Sequence, residues 1–150
     1  ESYVRLKELK NIDKQILSVV LFHHERCDGS GEPRGLKSRE IPYLAKIVAI
    51  ADKYENLLRE TKREKKTSPL FKLSELLSLA YSQKFDLDIT LKFIKSICKS
   101  YEGSRVEFVN GEQGKIIFVP RQDIEFPVVS CGDELIDTKL EESFKHFQFC

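Results

Sequence analysis

Apolar residues recur at helical spacing from residue 1 to about residue 101. Ile12, Ile16 and Val19 fall at i, i+4 and i+7, and Ile41, Ala45 and Val48 repeat the interval, which is the period of one face of an α-helix. The first stripe continues an amphipathic opening segment. The second belongs to a helix expected from about Ile41 to Leu58, with Pro42 in the first turn, where its missing N–H would be unpaired anyway. Leu73, Leu76, Leu77 and Ala80 predict a further core helix near Lys72 to Gln83, and Leu91, Ile94, Ile97 and Cys98 another near Ile89 to Tyr101.

Two interruptions separate these helices. Asp28-Gly29-Ser30-Gly31-Glu32-Pro33-Arg34-Gly35 is too rich in glycine and proline to be helical and must be a loop that ends at a helix amino terminus. The mixed but mainly basic run Arg59 to Lys66, with the breaker Thr67-Ser68-Pro69 behind it, reads as an exposed connection.

From Ser104 the texture becomes that of strands: Val106 to Val109, the turn signal Asn110-Gly111, Lys115 to Val119, and Ile124 to Ser130. A fourth short strand covers Glu134 to Leu140, and the tail Glu141 to Cys150 is ambiguous. The fold class expected is therefore mainly α: a partial helical bundle over residues 1–103 and a small β-rich extension over 104–150.

Composition narrows the function classes. A formal net charge of +1 is too near zero for a general nucleic-acid binder or a basic membrane-surface protein, so phosphate recognition has to come from a local site. The longest apolar run, Ile16 to Phe22, is far shorter than the roughly 20 residues that span a bilayer, and Glu1 to Lys10 has no signal-peptide core. The compartment expected is the cytoplasm. Cys27, Cys98, Cys131 and Cys150 show no CxxC spacing, which points to reduced thiols rather than disulfides or a zinc cage. There is no methionine, and the sequence opens inside an apparent helix, which together raise the expectation of a fragment.

His23 extends the Ile12, Ile16, Val19 stripe by four, and so should face the interior where its helix ends. His24 lies about 100° further round, so the pair can offer two neighbouring nitrogens to one cavity. Asp52 follows Ile41, Ala45 and Val48 on the second helix, where a carboxylate is costly unless paired or coordinated. Two imidazoles and a carboxylate suit iron, manganese or zinc. A buried His–Asp hydrogen bond, or His24 simply exposed at the helix end, is the alternative on these residues alone.

His23-His24-Glu25-Arg26-Cys27-Asp28-Gly29-Ser30-Gly31-Glu32-Pro33-Arg34-Gly35-Leu36 closely resembles the signature HHExxDGxGYPxGL of the HD-GYP family, metal-dependent cyclic-dinucleotide phosphodiesterases. Ile41-Pro42, Ala45-Lys46-Ile47 and Ala51-Asp52-Lys53-Tyr54-Glu55-Asn56-Leu57 fall where that family has IP, ARI and ADxYDAL. An ordered series of this length is far more specific than a single motif. The resemblance is strong from Ile16 to Leu57 and weak elsewhere.

The resemblance implies an HD-like bundle in a bacterial second-messenger pathway and a divalent transition metal, iron or manganese before zinc, on His23, His24 and Asp52. It places the loop of Glu25, Asp28, Gly29, Gly31, Glu32, Pro33 and Arg34 beside a cyclic dinucleotide such as cyclic di-GMP. The glycines let the backbone approach a phosphodiester and Arg34 offers a counter-charge. Asp28 reads as a pin for the loop through backbone N–H groups, and Glu25 as either a loop anchor or an outer partner of the metal site.

Two departures bear on activity. Glu32 stands where the signature has tyrosine, replacing a ring with an anion beside an anionic ligand. The HD dyad and the lysine after it should precede this segment, yet the 22 residues before His23 contain no histidine. Two functions are therefore expected in competition: a cyclic di-GMP phosphodiesterase domain incomplete in this chain, or an inactive HD-GYP-like module that binds a nucleotide or a signalling protein partner.

Overall fold

The computed structural model describes residues 2–9, 11–64, 68–140 and 147–150. Five helices, α1 (Ser2–Lys7), α2 (Lys14–Phe22), α3 (Tyr43–Glu64), α4 (Pro69–Tyr81) and α5 (Leu87–Tyr101), precede five strands, β1 (Arg105–Phe108), β2 (Gln113–Phe118), β3 (Val128–Cys131), β4 (Glu134–Asp137) and β5 (Phe147–Phe149). The order is that expected from the sequence, helices first and sheet second. Two compact units divide the chain, Glu1–Glu55 with Leu76–Thr90, and Asn56–Glu75 with Leu91–Cys150.

In the first unit the expected opening helix is broken in two. Asn11, between the two, takes φ 75°, and Asp13 caps α2 by accepting the Gln15 N–H at 2.7 Å, an N-cap that starts the second helix afresh. Ile12 thus lies ahead of α2 rather than on it. The inward stripe is not realised either: Ile16 is 53% exposed and no side chain of α2 is buried.

The stripe expected on α3 is shifted. Ala45, Ala49 and Ile50 are buried, while Val48 is 39% exposed: Ile41 is buried too but lies ahead of the helix, which starts at Tyr43, so a face counted from it at helical spacing is displaced from the one the helix buries. Pro42 sits just ahead of the helix, its carbonyl accepting the Lys46 N–H at 3.1 Å. The helix then continues to Glu64, so Arg59 to Glu64 is helical rather than a connection, consistent with good helix formers in that run. Lys65 to Thr67 lie outside the described residues.

Helix α4 starts at Pro69, earlier than the apolar spacing predicts, because Ser68 caps it: Ser68 Oγ accepts the Leu70 N–H at 3.2 Å and its carbonyl the Phe71 N–H at 3.0 Å. It ends in a paired cap. The Lys84 N–H donates to Leu79 O and the Gln83 N–H to Ala80 O, each at 3.0 Å, with Gln83 at φ 60°, the Schellman arrangement. Asp86 opens the next helix by accepting the Ile89 N–H at 3.3 Å.

In the second unit the strands form one antiparallel sheet ordered β4-β3-β2-β1-β5. The Asn110-Gly111 signal is a hairpin turn: Gly111, at φ 85°, donates to Phe108 O at 2.9 Å, and Asn110 Oδ1 accepts the Glu112 N–H at 3.0 Å. Val106, Phe108, Ile116, Val129 and Ile136 are buried along one face, as alternation requires. The expected third strand begins only at Val128, since Ile124 to Pro127 turns, with the Phe126 N–H on Asp123 O. The fourth ends at Asp137, where buried Thr138 donates its hydroxyl to Pro127 O at 2.9 Å. Of the ambiguous tail, Phe147 to Phe149 is an edge strand paired with β1, and 141–146 lie outside the described residues.

Candidate functional site: a histidine pair and its loop

His23 is the C-cap of α2, its N–H bonded to Val19 O at 3.0 Å. Its ring Nδ1 lies 3.0 Å from Val20 O and 3.3 Å from Val19 O. A carbonyl can only accept, so Nδ1 is the donor, and in the neutral ring the lone pair is on Nε2. The His24 ring lies against it, centroids 4.0 Å apart. Desolvation, then the His23 ring, hold the His24 imidazole below its ordinary pKa against the pull of Asp52, with Arg26 also lowering it and Glu32 raising it. The burial that lowers the His24 pKa favours its neutral form, the one that donates a nitrogen lone pair.

Asp52 is half-buried on α3 and near enough to act electrostatically on both His24 and Arg26. Two neighbouring imidazoles suit a transition metal, and the His23 ring is oriented by backbone carbonyls on Nδ1, as metal-bound histidines usually are. Among the described residues no group of three or more His, Cys, Asp or Glu side chains is placed to hold a metal ion.

The loop after the pair is built on Glu25. This carboxylate is 2% exposed, and its two oxygens take the Arg34 N–H at 2.7 Å and the Leu36 N–H at 2.9 Å. A buried anion with two backbone donors is a strong tie. Gly31 fits against it because it has no side chain: a methyl there would overlap the backbone of Glu25 and Arg26. The Glu32 N–H donates to His24 O at 3.2 Å, so the residue in the tyrosine position sits directly beside the histidine pair. Gly29 and Gly35 both have positive φ, 84° and 64°, and a Cβ on Gly35 would stand 3.1 Å from Gly29 O. Pro33 follows a cis peptide from Glu32, and the Arg34 guanidinium lies over the Phe22 ring, 5.4 Å from its centre.

Asp28 Oδ1 accepts from the Ser30 N–H at 3.0 Å and from its hydroxyl at 2.7 Å, while Oδ2 takes Lys84 Nζ at 2.7 Å. Arg26 donates to His23 O and Glu25 O and stacks on Phe85, 4.9 Å from its centre. Lys46 bridges Ser38 Oγ at 3.1 Å and Asp86 Oδ2 at 2.9 Å. Lys84, Phe85 and Asp86 were not among the residues singled out from sequence. Only Asp86 carried a local signal there, as an acidic residue three positions ahead of Ile89 on an apolar stripe.

The model of the HD domain family matches residues 1–89. A cyclic di-GMP phosphodiesterase of Thermotoga maritima is 37% identical over 99 residues, which are 65% of this chain and 27% of the relative. One from Pseudomonas aeruginosa is 24% identical over 128 residues, 81% of this chain and 30% of the relative. The cyclic di-GMP phosphodiesterase response regulator of Xanthomonas campestris pv. campestris is 55% identical over 40 residues, 27% of this chain and 11% of the relative. The chain therefore spans less than a third of the length of these relatives. No solved structure gives a significant match, and among the described residues no helix is long and apolar enough to cross a membrane. With the match over residues 1–89, the cyclic di-GMP phosphodiesterases among its relatives and the signature beginning at His23, the chain belongs to the HD domain family, in its HD-GYP branch.

Proposed function

We propose that the chain is part of a cytoplasmic cyclic di-GMP phosphodiesterase domain, contributing two metal-binding histidines, an aspartate and the substrate-facing loop, with the metal centre incomplete in these residues. The observation that carries this reading is the backbone tie of Glu25 to Arg34 and Leu36, which holds the loop directly behind the His23–His24 pair. In it, His23 and His24 donate Nε2 and a ring nitrogen, Asp52 supplies negative charge, and Arg34 faces the phosphodiester. Bound iron or manganese would supply a Lewis acid and an activated water.

A second reading, a binding module without catalysis, is favoured by Glu32. Its anion replaces a ring at the position whose N–H bonds His24 O, and its repulsion of an anionic cyclic dinucleotide weakens productive binding, which suits a module that holds a nucleotide or a protein partner without turnover.

Product formation from cyclic di-GMP with manganese or ferrous iron, followed by chromatography on the wild-type chain, Glu32→Tyr and His23→Ala, tests the incompleteness of the centre, and cyclic di-GMP binding by the same variants tests the part played by Glu32. The expected result is no turnover by any of the three, with tighter cyclic di-GMP binding by Glu32→Tyr. Metal-dependent turnover that His23→Ala abolishes would overturn the incomplete centre, and unchanged binding by Glu32→Tyr would remove Glu32 from the ligand site.

A further inference from the structure

The loop has a second attachment besides Glu25, and it comes from a single residue far away in sequence. The Lys84 carbonyl accepts the Cys27 N–H at 3.0 Å, and Lys84 Nζ donates to Asp28 Oδ2 at 2.7 Å and Ser30 Oγ at 2.9 Å. Asp28 and Ser30 are already joined to each other, so the ammonium closes a three-membered polar cluster. The pair is only partly screened, with side-chain exposures of 39% for Lys84 and 25% for Asp28.

Lys84 is itself unusually well fixed for a surface lysine. Its N–H finishes the cap of α4 on Leu79 O, and two residues later Asp86 caps α5 and binds Lys46. Helix ends on both sides therefore set where its backbone stands, and its ammonium transfers that position to Asp28. The bonds between Asp28 and Ser30 are local and give the turn its shape. They cannot decide where the turn stands within its unit, and Lys84 can.

We propose that Lys84 is a positioning residue for the ligand-binding loop, holding the Asp28–Ser30 turn in register behind the histidine pair and so setting affinity for the cyclic dinucleotide. The role assigned to the ligand rests on the proposed function above, whereas the role in loop order does not. No local pattern marks Lys84, because its partners lie 54 and 56 residues earlier.

The test is amide hydrogen exchange across residues 27–36 of the ligand-free full chain, read with cyclic di-GMP affinity, for Lys84→Met, Lys84→Arg, Asp28→Asn and the Lys84→Met/Asp28→Asn double variant. Lys84→Met is expected to speed loop exchange roughly three- to tenfold, the scale of a partly exposed ion pair with charged hydrogen bonds, and to weaken affinity in parallel. Exchange in the β1–β2 hairpin should not change. Lys84→Arg should preserve both readouts, and Lys84→Met should have a clearly smaller effect once Asp28 is Asn, leaving only the Ser30 and amide-oxygen contacts to lose, since coupled residues are not additive. Unchanged loop exchange in Lys84→Met, or fully additive effects in the double variant, overturns the proposal. If the wild-type chain binds no cyclic di-GMP yet exchange responds as described, the positioning role stands and the functional reading fails.

Discussion

Gly31 meets Glu25 backbone to backbone, with no space for a methyl group between them. The loop can therefore close on its buried carboxylate only if position 31 lacks a side chain. Gly31→Ala should cost about 1–3 kcal/mol or displace the loop, as overpacking does. Gly111 is the control: a Cβ there meets nothing within 4 Å, so Gly111→Ala should cost only the left-handed strain, about 1–2 kcal/mol. Urea denaturation gives both stabilities, and only Gly31→Ala should also alter the amide spectrum of residues 25–36.

Glu25→Gln tests the anchor from the other side. The substitution keeps one oxygen and turns an NH2 group toward a backbone N–H, so one of the Arg34 and Leu36 donors loses its acceptor inside a buried site. A loss of about 2–3 kcal/mol is expected for a buried donor left unpaired opposite a former charge. Equal urea midpoints for Glu25→Gln and wild type would show that the carboxylate contributes shape rather than charge.

Acid should loosen the loop through Asp28. Hydrogen bonds from Lys84 first, and from Ser30 after it, hold the Asp28 carboxyl well below the usual carboxylate range. A depressed folded-state pKa contributes stability above the unfolded value and loses it as pH falls, so the loss should begin below about pH 4 and deepen with further acid. Amide resonances of residues 27–36 followed between pH 5 and pH 2 should show a local loop transition in the wild type that Asp28→Asn lacks.

The four thiols should react in a defined order. Cys150 is exposed, whereas burial, with Glu102 adding to it, pushes the Cys98 thiol up to about 11. Only roughly a thousandth of such a thiol is thiolate at pH 8. A disulfide reagent at pH 8 should label Cys150 first and Cys98 last, as peptide mass mapping over time will show. Early labelling of Cys98 would contradict its packing in the second unit.

The change from helix to sheet and the hairpin at Asn110-Gly111 could be read from sequence because each depends on neighbours a few positions apart. The loop was readable as a motif, through the spacing of His23, Asp28, Gly29 and Gly31. Its two attachments differ in this respect: Glu25 lies inside the motif, but Lys84 reaches it only through the turn that joins α4 to α5. The inward stripe of α2 failed for a different reason. Periodicity reports which residues share a face and not whether anything covers it, and Ile16 shares its face with Val19 while remaining half in water.

The shallow burial of α2 changes the energetics of any ion held at its end. α2 has nine residues and no buried side chain, and helices below about 12–15 residues are marginal on propensity alone. An ion bound by His23 and His24 would thus act as a folding ligand for α2. By linkage it would stabilise the helical form in proportion to the logarithm of its concentration above its dissociation constant, and chelation would release the helix toward coil. Part of the intrinsic affinity of the imidazole pair is then consumed in ordering its own support, so elements that buttress α2 would raise metal affinity without touching either histidine.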